Sequence, residues 1–125
     1  MNDAFVTLVG NIASEPLHTE TDGVARTTFR VAHTPRRRRE EGWVDGDTTF
    51  YQVTCWRQLA RNTAQSLHKG ERVIVRGSLR GRDWSSGERS GTSLEINADS
   101  IGHDLTAGVT ELRRVLREPA AAAAA

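Results

Sequence analysis

Hydrophobic and polar positions along the chain repeat mostly with a period of two, the signature of half-buried strands. Residues 5–12 (FVTLVGNI) are rich in β-branched side chains and run into Ala13, Ser14, Glu15 and Pro16, which predicts a strand and a turn. Residues 26–34 (RTTFRVAHT) set Phe29, Val31 and His33 against Thr28, Arg30 and Ala32, and Pro35 ends this second strand. A third strand spans 48–56 (TTFYQVTCW). Spacing then turns helical over 57–68 (RQLARNTAQSLH), with Leu59, Ala60, Thr63 and Leu67 on one stripe. Alternation returns in 71–80 (ERVIVRGSLR) and in 93–101 (SLEINADSI). Between these elements, Arg36 to Gly46 read as a charged, mobile loop and Gly81 to Gly91 (GRDWSSGERSG) as an extended hairpin loop.

Five strands with one helix between the third and fourth is the order of the OB-fold, all-β with one helix. It closes as a five-stranded Greek-key barrel whose face and loops bind oligonucleotides. An all-β or α+β sandwich is the competing arrangement, and fold alone does not establish function. The domain is expected over residues 1–104. Residues 105–125 follow as a C-terminal extension, a short helix or a disordered tail. In it, Leu105, Val109, Leu112 and Leu116 fall on one helical stripe, as in a surface helix or an arm clasping a neighbouring subunit.

A length of 125 residues means one domain, and 37% hydrophobic residues supply one modest core. No stretch is apolar for long enough to span a bilayer or to serve as a secretory signal, so no membrane partner is expected. A single cysteine excludes an internal disulfide framework and points to a cytoplasmic setting. The net charge of +1 conceals its distribution. Residues 26–39 carry six arginines and no acid, and residues 51–82 carry seven bases against Glu71 alone. The flanking segments are acidic. Of 17 basic residues, 16 are arginine, whose planar guanidinium binds phosphate bidentately and stacks on bases. Such blocks serve as a solvated face unless they converge in space beside stacking groups.

Alternation supplies those groups. Phe50, Gln52, Thr54 and Trp56 share one face of the third strand, and Tyr51, Val53 and Cys55 share the other. The second set is a core face; the first puts two large aromatics among polar residues, under loops or open to a ligand. In the fourth strand Val73, Val75, Gly77 and Leu79 point inward. Arg76 and Arg80 point outward, as do Arg82 and Trp84 if the strand runs on that far. Arginines beside unburied aromatic rings suit a groove for a nucleic-acid strand, neutralising phosphates while rings stack unpaired bases at about 1–3 kcal/mol each. Arg30, Arg36 and Arg37 of the first basic block, and Arg57 at the helix start, are further candidates.

These residues carry a resemblance. The chain is similar to the bacterial single-stranded-DNA-binding protein (SSB) family over about residues 4–104, first in FVTLVGNIASEP. It continues in TTFYQVTCWRQLARNTAQSLHKGERVIVRGSLRGRDW, where spacing, residue types and order agree together. The resemblance implies base-stacking aromatics at Phe50, Trp56 and Trp84 and phosphate contacts at Arg80 and Arg82, with Lys69 nearby. It also implies single-stranded DNA as partner in replication, recombination or repair, with little sequence preference, and a homotetramer of OB-folds. Three features depart from the family pattern. Arg36 to Arg39 stand where an aromatic is common, with Trp43 a few residues later, and Asp83 precedes the hairpin tryptophan. The chain ends LREPAAAAAA without the acidic tip that recruits replication and repair enzymes, so tail-dependent partners are not expected.

Nothing in the pattern supports catalysis. His18, His33, His68 and His103 lack the spacing of a metal site, and no phosphate-cradling glycine loop is present, so neither metal nor cofactor is expected. Cys55 reads as a reduced, packed thiol or, near a two-fold axis, as a crosslink between subunits. The competing functions are an OB-fold RNA-binding or primosome-type accessory protein, and an adaptor that uses the same aromatics as protein anchors.

Overall fold

A computed structural model describes residues 3–116. Its strands are β1 (Ala4–Ile12), β2 (Leu17–Thr21), β3 (Val24–His33), β4 (Arg36–Arg39), β5 (Gly42–Asp45), β6 (Thr49–Trp56), β7 (Arg72–Ser86) and β8 (Arg89–His103). One helix, α1 (Arg57–Ser66), lies between β6 and β7. Hydrogen bonding joins the strands in the order β1-β7-β8-β6-β3-β2, and β1 also pairs with β3 at Asn11–Ala32 and Ile12–Val31. That last pairing closes five strands into the OB barrel, with β6 and β8 parallel and their neighbours antiparallel.

Inside the barrel, Ile12, Phe29, Val31, Val53, Val73, Val75 and Ile96 are fully buried, each worth about 1.5–3 kcal/mol against exposure. The helix seats Ala60 and Thr63 on this core, Leu67 joins them just past its end, and the buried Thr27 hydroxyl donates to the Ala60 carbonyl at 2.7 Å. At Gly77 the backbone of β8 comes too close to leave room for a side chain. A Cβ there would run into the Asn97 carbonyl, beside the bulge that inserts Asp99 into β8.

The structure corrects several expected boundaries. The 36–46 loop is instead the β4–β5 hairpin, in which Arg38 faces Trp43 and Arg36 faces Asp45. The 81–91 loop is a continuation of β7 and β8 to a turn at Gly87, forming a two-stranded arm. Residues 81–90 are all exposed, so no core face imposed an apolar alternation on them. Strand β2 pairs with β3 through a tight turn in which Asp22 and Gly23 have φ of 52° and 78°. The helical stripe expected beyond Leu105 does not form among the described residues. Asp104 accepts from the Thr106 N–H at 3.0 Å and its carbonyl from the Ala107 N–H at 3.1 Å, capturing the chain in a turn. Residues 108–116 then run irregularly past α1, where Arg113 donates to Gln65 at 2.9 Å. Val109, Leu112 and Leu116 stay exposed, so no apolar seat favours a helix. The alanine run and the expected absence of an acidic tip lie outside the described residues.

Candidate nucleic-acid interface

Strand pleating turns Phe50, Gln52, Thr54 and Trp56 of β6 away from the barrel, while Val53 and Cys55 go in. Pairing then extends this outer face sideways. Arg26 lies opposite Trp56 and Arg30 opposite Gln52 on β3; Gln52 pairs with Glu95 on β8, and Glu95 with Arg80 on β7. Phe50 is 46% exposed with the Arg30 guanidinium 4.6 Å from its ring centroid. Trp56 is 43% exposed, lies 5.7 Å from the Arg26 guanidinium, and donates from Nε1 to Asn97 Oδ1 at 3.0 Å. Each ring is thus attended by a cation, with surface left open.

The outward row of β7 continues along the arm as Arg80, Arg82 and Trp84. Arg82 is 3.7 Å from the Glu95 carboxylate, an exposed pair that salt weakens. Phe50, Trp56, Arg30, Arg80 and Arg82 therefore share one sheet face, and Trp84 lies farther out on the same row. The 13–15 turn joins Lys69 to Arg30: the Lys69 N–H donates to Glu15 at 2.8 Å, and the Arg30 N–H to the Ser14 hydroxyl at 3.0 Å.

Other candidates stand apart. Arg76 sits beyond the bulge, 2.7 Å from Asp99 and above Phe5 of β1. Arg57 is exposed at the β6–α1 junction with a left-handed φ of 61°. Arg36 and Arg37 belong to the β4–β5 hairpin; Arg36 lies 5.6 Å from the Trp43 ring and 3.6 Å from Asp45. Arg26 and Asn97 are the residues that sequence reasoning missed. Arg26 shares the alternation of Thr28 and Arg30 and was readable; Asn97 reaches Trp56 only through the β6–β8 pairing.

Cys55 is fully buried, its thiol 3.7 Å from the Thr27 carbonyl, and burial pushes its pKa up, opposed by a Thr63 hydrogen bond. An intersubunit crosslink at Cys55 would require the barrel to open, so the packed thiol is the reading that geometry favours. His18 and His33 stand apart from each other and from His68 and His103, which meet the Glu71 carboxylate through a backbone N–H and a ring nitrogen. His33 donates from Nδ1 to the Val9 carbonyl at 3.0 Å and His103 lies 3.0 Å from Glu71. Among the described residues no group of three or more His, Cys, Asp or Glu is placed to hold a metal ion.

Comparison with known proteins adds to this geometry. The family model described as "Single-strand binding protein family" matches residues 3–104. The chain is 40% identical over 121 residues to a single-stranded DNA-binding protein of Corynebacterium glutamicum, covering 94% of this chain and 54% of that one. It therefore spans about half the length of that relative. Single-stranded DNA-binding protein 1 of Streptomyces coelicolor is 38% identical over 122 residues, 96% of this chain and 78% of that one. Among solved structures, the small single-stranded DNA-binding protein from Streptomyces coelicolor superposes with a TM-score of 0.82 at 40% identity, over 86% of this chain and all of that one. The second such protein of Mycobacterium smegmatis gives 0.73 at 30% identity, over 90% of this chain and all of that one.

Proposed function

The chain belongs to the single-strand binding protein family, and from that premise we propose that it binds and protects single-stranded DNA without sequence preference. The observation that carries this reading is the pair of half-exposed rings, Phe50 and Trp56, on one sheet face, each beside an arginine guanidinium. Every base has a π-face, so such rings accept any sequence. Arg80 and Arg82 border the same face and neutralise phosphates as the strand passes toward Trp84 on the arm. The β4–β5 hairpin brings Arg36 and Arg37 as a further cationic contact. Binding of this kind serves DNA replication, recombination or repair on the cytoplasmic nucleoid, and the role needs no catalytic step. No helix among the described residues is long and apolar enough to cross a membrane.

The working form is a homotetramer. Among the described residues, β1 has no strand partner along one edge from Ala4 to Gly10, and Phe5 and Ile74 are exposed on the outer surface of β1 and β7. An open edge beside apolar side chains favours pairing with a second copy.

Titration of intrinsic tryptophan fluorescence with oligothymidine tests the function. Strong quenching is expected, with affinity falling as salt rises by a log–log slope of about 0.7 per neutralised phosphate. Absence of quenching would favour the adaptor reading, and equal or tighter binding of an RNA oligomer the RNA-binding one.

A further inference from the structure

Trp84 and Gly91 are cross-strand partners on the two-stranded arm. A Cβ at Gly91 would stand 3.0 Å from Cζ2 of Trp84 and 3.1 Å from both Cε2 and Nε1. At that range, a point nearly equidistant from three contiguous ring atoms lies off the ring plane. The indole therefore lies across the glycine, one face toward the arm backbone. Trp84 is still 43% exposed, so the rest of the ring faces solvent.

Backbone conformation does not call for glycine at this position. Gly91 lies within β8 and its φ is outside the left-handed region, unlike Gly87 at the arm's turn. Glycine inside a strand weakens it, because it has no side chain to pack and loses most freedom on folding. Around a Cβ at residue 91, the three nearest atoms all belong to Trp84. What the missing side chain makes room for is the ring.

We propose that Gly91 is a positioning residue, a bare seat that holds the Trp84 indole flat across the arm with its outer face presented to a base. The proposal rests on the reading that Trp84 stacks on single-stranded DNA. A ring laid down before binding gives up less rotamer freedom when the base arrives. A side chain at residue 91 lifts or tilts the indole, and stacking depends on parallel planes.

The test is a double-mutant cycle on the full chain, with binding to labelled oligothymidine read by fluorescence anisotropy. Trp84→Ala is expected to weaken binding about 5- to 150-fold. Gly91→Val reproduces most of that loss and Gly91→Ala a smaller part of it. In the Trp84→Ala background, Gly91→Val costs less than about twofold, because coupled residues are non-additive. A purely structural role predicts the reverse for the single variant, since valine is the better strand former. Proton NMR of the free protein gives a second readout. The Gly91 α-protons are expected upfield through the ring current of the indole, and at ordinary positions in the Trp84→Ala protein. Wild-type binding by Gly91→Val, while Trp84→Ala is weakened, overturns the seat alone. Wild-type binding by Trp84→Ala overturns the stacking reading beneath it. Equal losses from Gly91→Val in both backgrounds, or unshifted α-protons in the wild type, also overturn the seat.

Discussion

Replacing Trp56 separates the contributions on the central face. The ring is 43% exposed, so somewhat over half its surface packs against the protein. Burying half of a ~200 Å² aromatic at ~25 cal/mol/Å² amounts to about 2.5 kcal/mol, the stability Trp56→Ala should lose. The same variant loses a stacking platform, about 1–3 kcal/mol of binding or a roughly 5- to 150-fold rise in Kd. Asn97→Ala keeps the ring and removes only the 3.0 Å bond from its Nε1. That bond is exposed, so its loss belongs near the low end of ~0.5–1.5 kcal/mol, a roughly two- to fourfold rise in Kd. Trp56→Phe keeps a ring but has no N–H, so Asn97→Ala should add nothing to it. Urea melts establish that each variant is folded under the assay conditions, and anisotropy of a labelled oligothymidine gives Kd. A folded Trp56→Ala protein with wild-type affinity would refute the reasoning. So would an Asn97→Ala effect that persists undiminished in the Trp56→Phe background.

Two further predictions concern stability. Arg57 holds a φ of 61°, a conformation costing a non-glycine residue about 1–2 kcal/mol, so Arg57→Gly should raise Tm by a few degrees and Arg57→Val should lower it; equal melting of the two would show that the junction stores no strain. The Glu71 and Asp104 carboxyls sit below their ordinary values of 4.5 and 3.8. Burial of Glu71 acts upward but is outweighed by hydrogen bonds from His103 and the His68 N–H, while Asp104 is lowered by the Thr106 N–H and hydroxyl and by Arg72. Their folded values being depressed, the stabilisation is present above the ordinary values and fades as pH falls through the folded ones. Thermal melts between neutral pH and pH 3 should show less acid destabilisation in Glu71→Gln/Asp104→Asn than in the wild type.

Where an element packs one face on the core, its sequence showed which face. Val73, Val75 and Gly77 are buried between exposed Arg72, Ile74 and Arg76, and Cys55 is buried beside exposed Trp56, as alternation required. Elements without a core face left no such trace: β4 and β5, strand β2, and the arm beyond Arg80 are solvated, and their pairing depends on turns and partners. Asp22–Gly23 did carry a recognisable hairpin signal for β2. The aromatic positions of the candidate face were readable because Phe50 and Trp56 interrupt a polar register. Their supports were not, since the bond to Asn97 crosses from β6 to β8, 41 residues later. Of the two forms expected after Leu105, the helical one is not taken by residues 105–116 for the opposite reason: the stripe is present, but the turn at Asp104 and the lack of a seat prevail.

The central claim is that the strand lies across Phe50 and Trp56 and out along β7 to Trp84. Photocrosslinking with a bromodeoxyuridine-substituted oligonucleotide, followed by peptide mass spectrometry, tests it most directly. Adducts are expected at Phe50, Trp56 and Trp84, diminished by high salt. Adducts confined to Trp43, or to residues of α1 and the 108–116 segment, would contradict it.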